Sequence, residues 1–307
     1  VHLPLSKKAC LEAENLMLSS KNIISPAHGR PVAVPSQDMV LGLYFITKKR
    51  KGVLGEGMKF ADVGEVVYAH QHGQVHLHAG ISLRLGSGDI VETTVGRVLF
   101  YEALPEGTDF SWLNKVMKNR DTQKLIQRVY RAAGREATVI ALDKIKHLGF
   151  YSATVAGISI NIDDLVIPGS KKGIVDKGKA EVIKIENLYR SGAITNGERR
   201  DKVIQVWAKA TDRVADDMIS HLDKDDIINS ENSDGKERPF NPVFMMLDSG
   251  ARGSKAQIRQ LGGMRGPMVN PAGDVMETPV LANFKEGLNV FEYFISTHGA
   301  RKGLADT

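Results

Sequence analysis

Cysteine is almost missing: Cys10 stands alone among 307 residues. That excludes an internal disulfide framework and any cysteine-based zinc site within the chain, and makes a reducing compartment the simpler setting. Long apolar runs are missing too. No stretch approaches the roughly 20 apolar residues of a membrane helix. The opening VHLPLSKKAC has neither an initiator methionine nor the apolar core of a signal peptide. The zinc-protease, nucleophile-elbow and phosphate-loop spacings are absent, as is the dinucleotide-binding glycine fingerprint. GEG at 55–57 reads as a turn. A small autonomous enzyme is therefore poorly supported. One absence is local: residues 249–268, SGARGSKAQIRQLGGMRGPM, contain no aspartate or glutamate.

What is present is ordinary globular composition, 42% hydrophobic and 25% charged, enough for one large or two to three smaller domains. The net charge of +5 permits a polyanionic partner without requiring one. Ser6 is placed to cap a first helix carrying Leu11, Leu16 and Leu18, and SSKNIISPAHGRP then reads as turns. Residues 31–47, 74–85 and 92–104 read as short β-like runs. Residues 108–148 have helical spacing through Trp112, Leu113, Val116, Leu125, Ile126 and Val129. Beyond Pro168 and Gly169, residues 174–190 and 197–220 form two amphipathic helices around SGAITNG. Their stripes, Val182, Ile185, Leu188 and Tyr189 against Val203, Val206, Trp207, Ala210 and Val214, predict an antiparallel αα-hairpin with charged outer faces. Residues 221–239 read as a polar loop or weak hairpin, NPAGD (270–274) as a turn, and the stretch from about Pro279 onward as a helix.

The acid-free segment holds Arg252, Lys255, Arg259 and Arg265 among glycines. Glycine admits a ligand close to the backbone and guanidinium groups suit phosphate oxygens; the competing reading is a solvated basic helix over Lys255–Gln260. His70, His72, His76 and His78 invite a metal reading, with His76 and His78 on one face of a strand. No neighbouring carboxylate or cysteine completes a ligand set, so packing is the stronger reading. Asp163 and Asp164 invite a divalent-cation reading, but two acids without a third oxygen donor make turn capping or pairing with Lys171 and Lys172 the stronger one; Asp223, Asp225 and Asp226 read as a solvated loop. Gly299 and Gly303 flank Arg301 and Lys302, so the last helix either ends at Gly299, bends, or lets something approach closely.

Four strings carry a resemblance: VPSQDMVLGLYFIT, INIDDLVIP, MMLDSGARGSKAQIRQLGGMRG and NFKEGLNVFEYFISTHGARKGLADT. In this order they are similar to segments of the bacterial RNA polymerase β′ family, along the whole chain. The resemblance implies an α+β multidomain fragment: a small β-rich pore region, a helical-hairpin funnel and a long terminal helix. It divides the chain into 1–25, the tail of an active-centre domain; 26–168, a pore domain lining the secondary channel; 169–248, the funnel with its rim hairpin; 249–278, the F-loop region; and 279–307, a truncated bridge helix. Both ends then read as cuts, and the family's magnesium motif NADFDGDQMA would lie just before Val1.

By the same resemblance Arg252 matches the arginine that contacts the nucleotide triphosphate. Gln37, Lys255, Arg259 and Arg265 belong to the active-centre and F-loop surroundings, and His298, Arg301, Lys302 and Thr307 to the bridge helix beside the template. No catalytic residue and no metal ligand is expected within the chain, which would not turn over alone. Magnesium would act in the assembled enzyme, a DNA-directed RNA polymerase. Implied partners are the β, α, ω and sigma subunits, template DNA and RNA, nucleoside triphosphates and Gre-type secondary-channel factors, in the cytoplasm and away from membranes. The alternative is a split or decayed copy that only binds regulators and nucleic acid. A histidine–metal enzyme, the third reading, requires stoichiometric metal binding that His76→Ala abolishes.

Overall fold

The computed structural model describes residues 2–86, 88–231 and 239–307, with Lys302 described in its backbone only. They form two compact units. The first comprises residues 1–159, 228–240 and 245–252; the second comprises 160–227, 241–244 and 253–307. Among the described residues there is one small sheet, in the first unit, and the other regular elements are helices, an α+β architecture.

In the first unit the Ser6 hydroxyl caps α1 (Lys7–Glu12) by accepting from the Ala9 amide at 3.2 Å. A wide π turn over Ala13–Met17 follows, and Leu11, Leu16 and Leu18 are exposed. The run expected as β within 31–47 is instead α2 (Asp38–Thr47). Val40–Tyr44, Ile46 and Thr47 are all buried, so α2 is apolar on every side and shows no 3.6-residue stripe. A short continuous apolar run of this kind cannot be told from a buried strand by periodicity. Gly42 lets α2 lie directly on α5 (Asn119–Ala156): a methyl group there would overlap the Gly149 carbonyl oxygen. Helix α5 runs past the expected end at 148 and is broken only at Gly134, whose φ of +79° is non-helical.

The chain between α2 and α5 carries a three-stranded sheet in the order β1 (Lys59–Phe60), β2 (Gly80–Arg84), β3 (Ile90–Thr94). β1 pairs with β2 in parallel, and β2 pairs with β3 antiparallel, with Ser82 opposite Glu92. α3 (Val63–Gln71) connects β1 to β2. The β-like run at 74–85 is a strand only from Gly80, so His76 and His78 occupy a turn rather than a strand face. The run at 92–104 is likewise a strand only to Thr94, where α4 (Val95–Glu102) begins and buries Val95, Val98 and Phe100. These side chains join Leu43, Ile46, Ile81, Leu83 and Leu125 in the main core.

The second unit is built on the expected hairpin, α6 (Lys171–Arg190) and α7 (Asn196–Ser230). Val175, Val203, Trp207, Ala210 and Val214 form its core with Met264, while Leu188 and Tyr189 near the tip stay exposed. Gly178 leaves room for Trp207, whose ring would sit 3.1 Å from any β-carbon there. α7 does not stop at 220. Met218 and Leu222 continue the buried stripe from Val214 at four-residue spacing, which carries the helix through the polar stretch expected as loop. Residues 232–238 of that stretch lie outside the described residues. Asp164 serves a capping box with Asn161, and Lys171 pairs with Glu286 rather than with an acid at 163–164.

α8 (Pro242–Ser249) and α9 (Lys255–Ile258) flank the SGARGS turn. The expected turn at 270–274 is present, closed by pairing of Val269 with Val275, and Gly266 pairs with Val280. That pairing draws residues 279–288 into extended and turn structure, so the last helix, α10, starts later than expected, at Val290, and runs to Asp306. Asn289 and Glu292 cap it reciprocally.

Candidate functional site

Arg252 sits on a tight turn after α8. Gly250 and Gly253 on either side adopt φ of +70° and +83°, a region that L side chains rarely enter. The Arg252 amide donates to the Met246 carbonyl at 3.3 Å, and the Ala251 amide donates to the buried Ser249 hydroxyl at 3.2 Å. One residue of this turn was not singled out from sequence: Asp248, in the last turn of α8. One of its oxygens accepts from the Tyr44 hydroxyl at 2.9 Å, the other from the Lys118 ammonium at 2.6 Å. The Asn119 side-chain amide donates to the Gly250 carbonyl at 3.3 Å. A carboxylate at a helix C-terminus is opposed by the helix dipole, so an acid there signals a cation elsewhere. Nothing local in the sequence points to Lys118. The Arg252 side chain itself is exposed and, among the described residues, has no acidic partner.

The remaining cations of the segment belong to the second unit, and acids of α7 meet two of them. Lys255, in the first turn of α9, pairs with Asp216. Arg259 stands 4.0 Å from Asp212, with its Nε buried. Arg265 lies over the Phe284 ring at 5.2 Å, and burial holds its guanidinium below the ordinary arginine range, although arginine keeps its charge there. Asn283, fully buried, donates to the Gly262 and Gly263 carbonyls and ties the glycine pair to the chain before α10.

Gln37 caps α2 with φ +47° and ψ −119°, and is the one non-glycine at positive φ among the described residues. It is exposed at the first central position of the turn from Ser36 to Met39, a place that favours glycine. Such backbone costs on the order of 1–3 kcal/mol and persists only where its surroundings enforce it. α10 is helical through both glycines. At Gly299 a methyl group would overlap the Val269 carbonyl oxygen, whereas nothing lies within 4 Å at Gly303. Phe291, Tyr293, Phe294, His298, Arg301 and Thr307 are exposed along it. The side chain of Lys302 lies outside the described residues.

The four histidines each have a packing role. His78 is buried, and its Nδ1–H donates to the Lys48 carbonyl at 3.1 Å. The edges of Phe45 and Phe240 enclose it. Burial, and then the neighbouring His76, push its pKa down to about 3, so the ring is neutral. His76 accepts from the His78 amide at 3.1 Å, His72 stacks on Tyr68, and His70 contacts the Val75 carbonyl. With Leu77, Leu148 and Val155, the rings of His70, His76 and His78 line an apolar cavity of about 400 Å³. No three His, Cys, Asp or Glu residues gather as a metal cage among the described residues.

Comparison with known proteins sets the class. Residues 22–165 match RNA polymerase Rpb1, domain 3, and residues 194–292 match RNA polymerase Rpb1, domain 4. Over all of its length the chain is 48% identical to the DNA-directed RNA polymerase subunit β′ of Methylobacillus flagellatus and 51% identical to that of Dichelobacter nodosus. It is 48% identical to that of Pseudomonas paraeruginosa. In each case it spans 23% of the relative's length, about a quarter. The chain belongs to the bacterial RNA polymerase β′ family.

Proposed function

We propose that the chain works as part of the β′ subunit of a DNA-directed RNA polymerase, on the nucleotide side of the active centre, with Arg252 binding the triphosphate. The carrying observation is the exposed, acid-free guanidinium of Arg252 on a turn whose glycines and polar anchors fix its backbone. A planar guanidinium suits phosphate oxygens, and positioning plus charge stabilisation are most of what a protein supplies to phosphoryl transfer. The strained turn at Gln37 fits an active-centre neighbourhood, and the exposed faces of α10 fit a helix that lies against other subunits and nucleic acid. Residues 26–168 would line the nucleotide channel. On this reading β, α, ω and sigma subunits, template, transcript and nucleotides are the partners, and the cytoplasm is the place of work. Metal chemistry is assigned to no residue of this chain.

The test is Arg252→Ala in the full-length subunit assembled into polymerase. The nucleotide KM should rise roughly tenfold, the scale of one charge-assisted contact. An unchanged KM and rate would remove the assignment.

A second reading has its own observation. The hairpin tip, residues 191–197, is almost wholly exposed and turns on Gly192 at φ +76°. It suits docking of Gre-type regulators, and loss of their binding on tip substitution, with basal synthesis intact, would support it.

A further inference from the structure

We propose that Lys118 and Tyr44 are positioning residues for Arg252, acting by clamping Asp248. The proposal rests on the reading of Arg252 as a triphosphate-binding residue and adds the device that holds it and keeps it free.

Asp248 and Arg252 are four residues apart, near enough along the chain for the long guanidinium side chain to reach back to the carboxylate. They do not pair here. Both carboxylate oxygens are taken, one by the Tyr44 hydroxyl and one by the Lys118 ammonium. The two donors stand on rigid ground. Tyr44 is a 2%-exposed side chain of the buried helix α2, and Lys118 is the N-cap residue of α5, its carbonyl accepting from the Asp121 and Thr122 amides. Asn119, the next residue, holds the Gly250 carbonyl. All the polar anchors around the turn point back into the first unit. Arg252, just beyond them, faces solvent without an acidic partner among the described residues.

Two consequences follow from this geometry. The clamp fixes the start of a three-residue path, Ser249–Gly250–Ala251, whose glycine would otherwise leave Arg252 loosely placed. It also neutralises the one carboxylate within reach along the chain that would compete with a ligand phosphate for Arg252. Losing either donor frees or loosens Asp248, and nucleotide affinity falls without any change at Arg252 itself.

The experiment measures single-nucleotide addition by polymerase assembled with full-length β′ carrying Lys118→Met, Lys118→Arg or Tyr44→Phe. Arg252→Ala is made alone and combined with Lys118→Met. Lys118→Met and Tyr44→Phe should each raise the nucleotide KM about three- to tenfold, the scale of one lost hydrogen bond, with kcat little changed. Lys118→Arg, which keeps a cation for Asp248, should restore most of the affinity. Lys118→Met should add nothing further once Arg252 is alanine, because both act through one contact. Independent, multiplying effects would mean that the clamp serves the fold and not Arg252, and would overturn the proposal. So would an unchanged KM in Lys118→Met and Tyr44→Phe while Arg252→Ala raises it. If Arg252→Ala itself leaves KM unchanged, the triphosphate reading has failed, a distinct result. Tyr44→Phe removes a single hydroxyl and carries the test should Lys118→Met not assemble.

Discussion

Arg252 and Lys255 stand three residues apart in one acid-free segment, yet Lys255 is neutralised by Asp216 and Arg252 is left open. Composition exposed the cations and the glycines between them. It could not reveal which charge stays available, because the answering acids, Asp212 and Asp216, come from α7, some forty residues earlier. His78 makes a related point. Its place in a histidine cluster was plain in the sequence, whereas its burial between two phenylalanine rings depends on residues 45 and 240. That burial has a measurable consequence. The folded-state pKa, about 3, lies below the ordinary 6.5, so the folded chain resists a proton that the unfolded chain accepts. The stability of this site is complete above pH 6.5 and is lost as pH falls from 6.5 toward 3, by about 1.4 kcal/mol per pH unit. Denaturant midpoints of the chain between pH 7 and 4 should show this slope. His78→Asn, which can still donate to the Lys48 carbonyl, should flatten it; an equal slope in that variant would mean other groups titrate.

At the scale of elements, legibility followed amphipathicity. The α6–α7 hairpin could be read from its stripes because each helix has one wet and one dry face. α2 could not, since burial on all sides removes the period that identifies a helix, and the start of α10 at Val290 is set by its capping box and not by the apolar pattern. Trp207, the largest side chain in the hairpin core, should cost about 3–5 kcal/mol when truncated to alanine, read as a fall in thermal midpoint. The glycines of α10 divide by what approaches them. Nothing lies near Gly303, so Gly303→Ala should stabilise the helix by about 1 kcal/mol. At Gly299 the same substitution meets the Val269 carbonyl and should destabilise the fold despite the better helix propensity. Thermal unfolding of the two variants separates them; equal gains at both sites would mean that the carbonyl yields freely and the close approach has no structural weight.

For the whole molecule, the surplus of positive charge matters less than how much of it is unpaired. A net charge of +5 and an acid-free basic segment suggest a polyanion surface. Yet of the four cations in that segment Lys255 is paired, Arg259 lies near an acid and Arg265 is half-buried over an aromatic ring. Each phosphate contact made by an open cation releases counterions and adds roughly 0.9 to the steepness with which log affinity falls against log salt. A cation already neutralised by a carboxylate releases none when it meets a phosphate, because it first has to give up its partner. Binding of the chain to double-stranded DNA should therefore be weak and salt-dependent, with a slope set by residues such as Arg252 and Arg301, both exposed and without an acidic partner among the described residues. Arg252→Ala and Arg301→Ala should each lower the slope by roughly one, while Lys255→Ala should leave it unchanged. A salt titration of the three variants decides the matter. If Lys255→Ala lowers the slope as much as Arg252→Ala, the Lys255–Asp216 pair opens on binding, and the basic segment acts as one phosphate-binding surface after all.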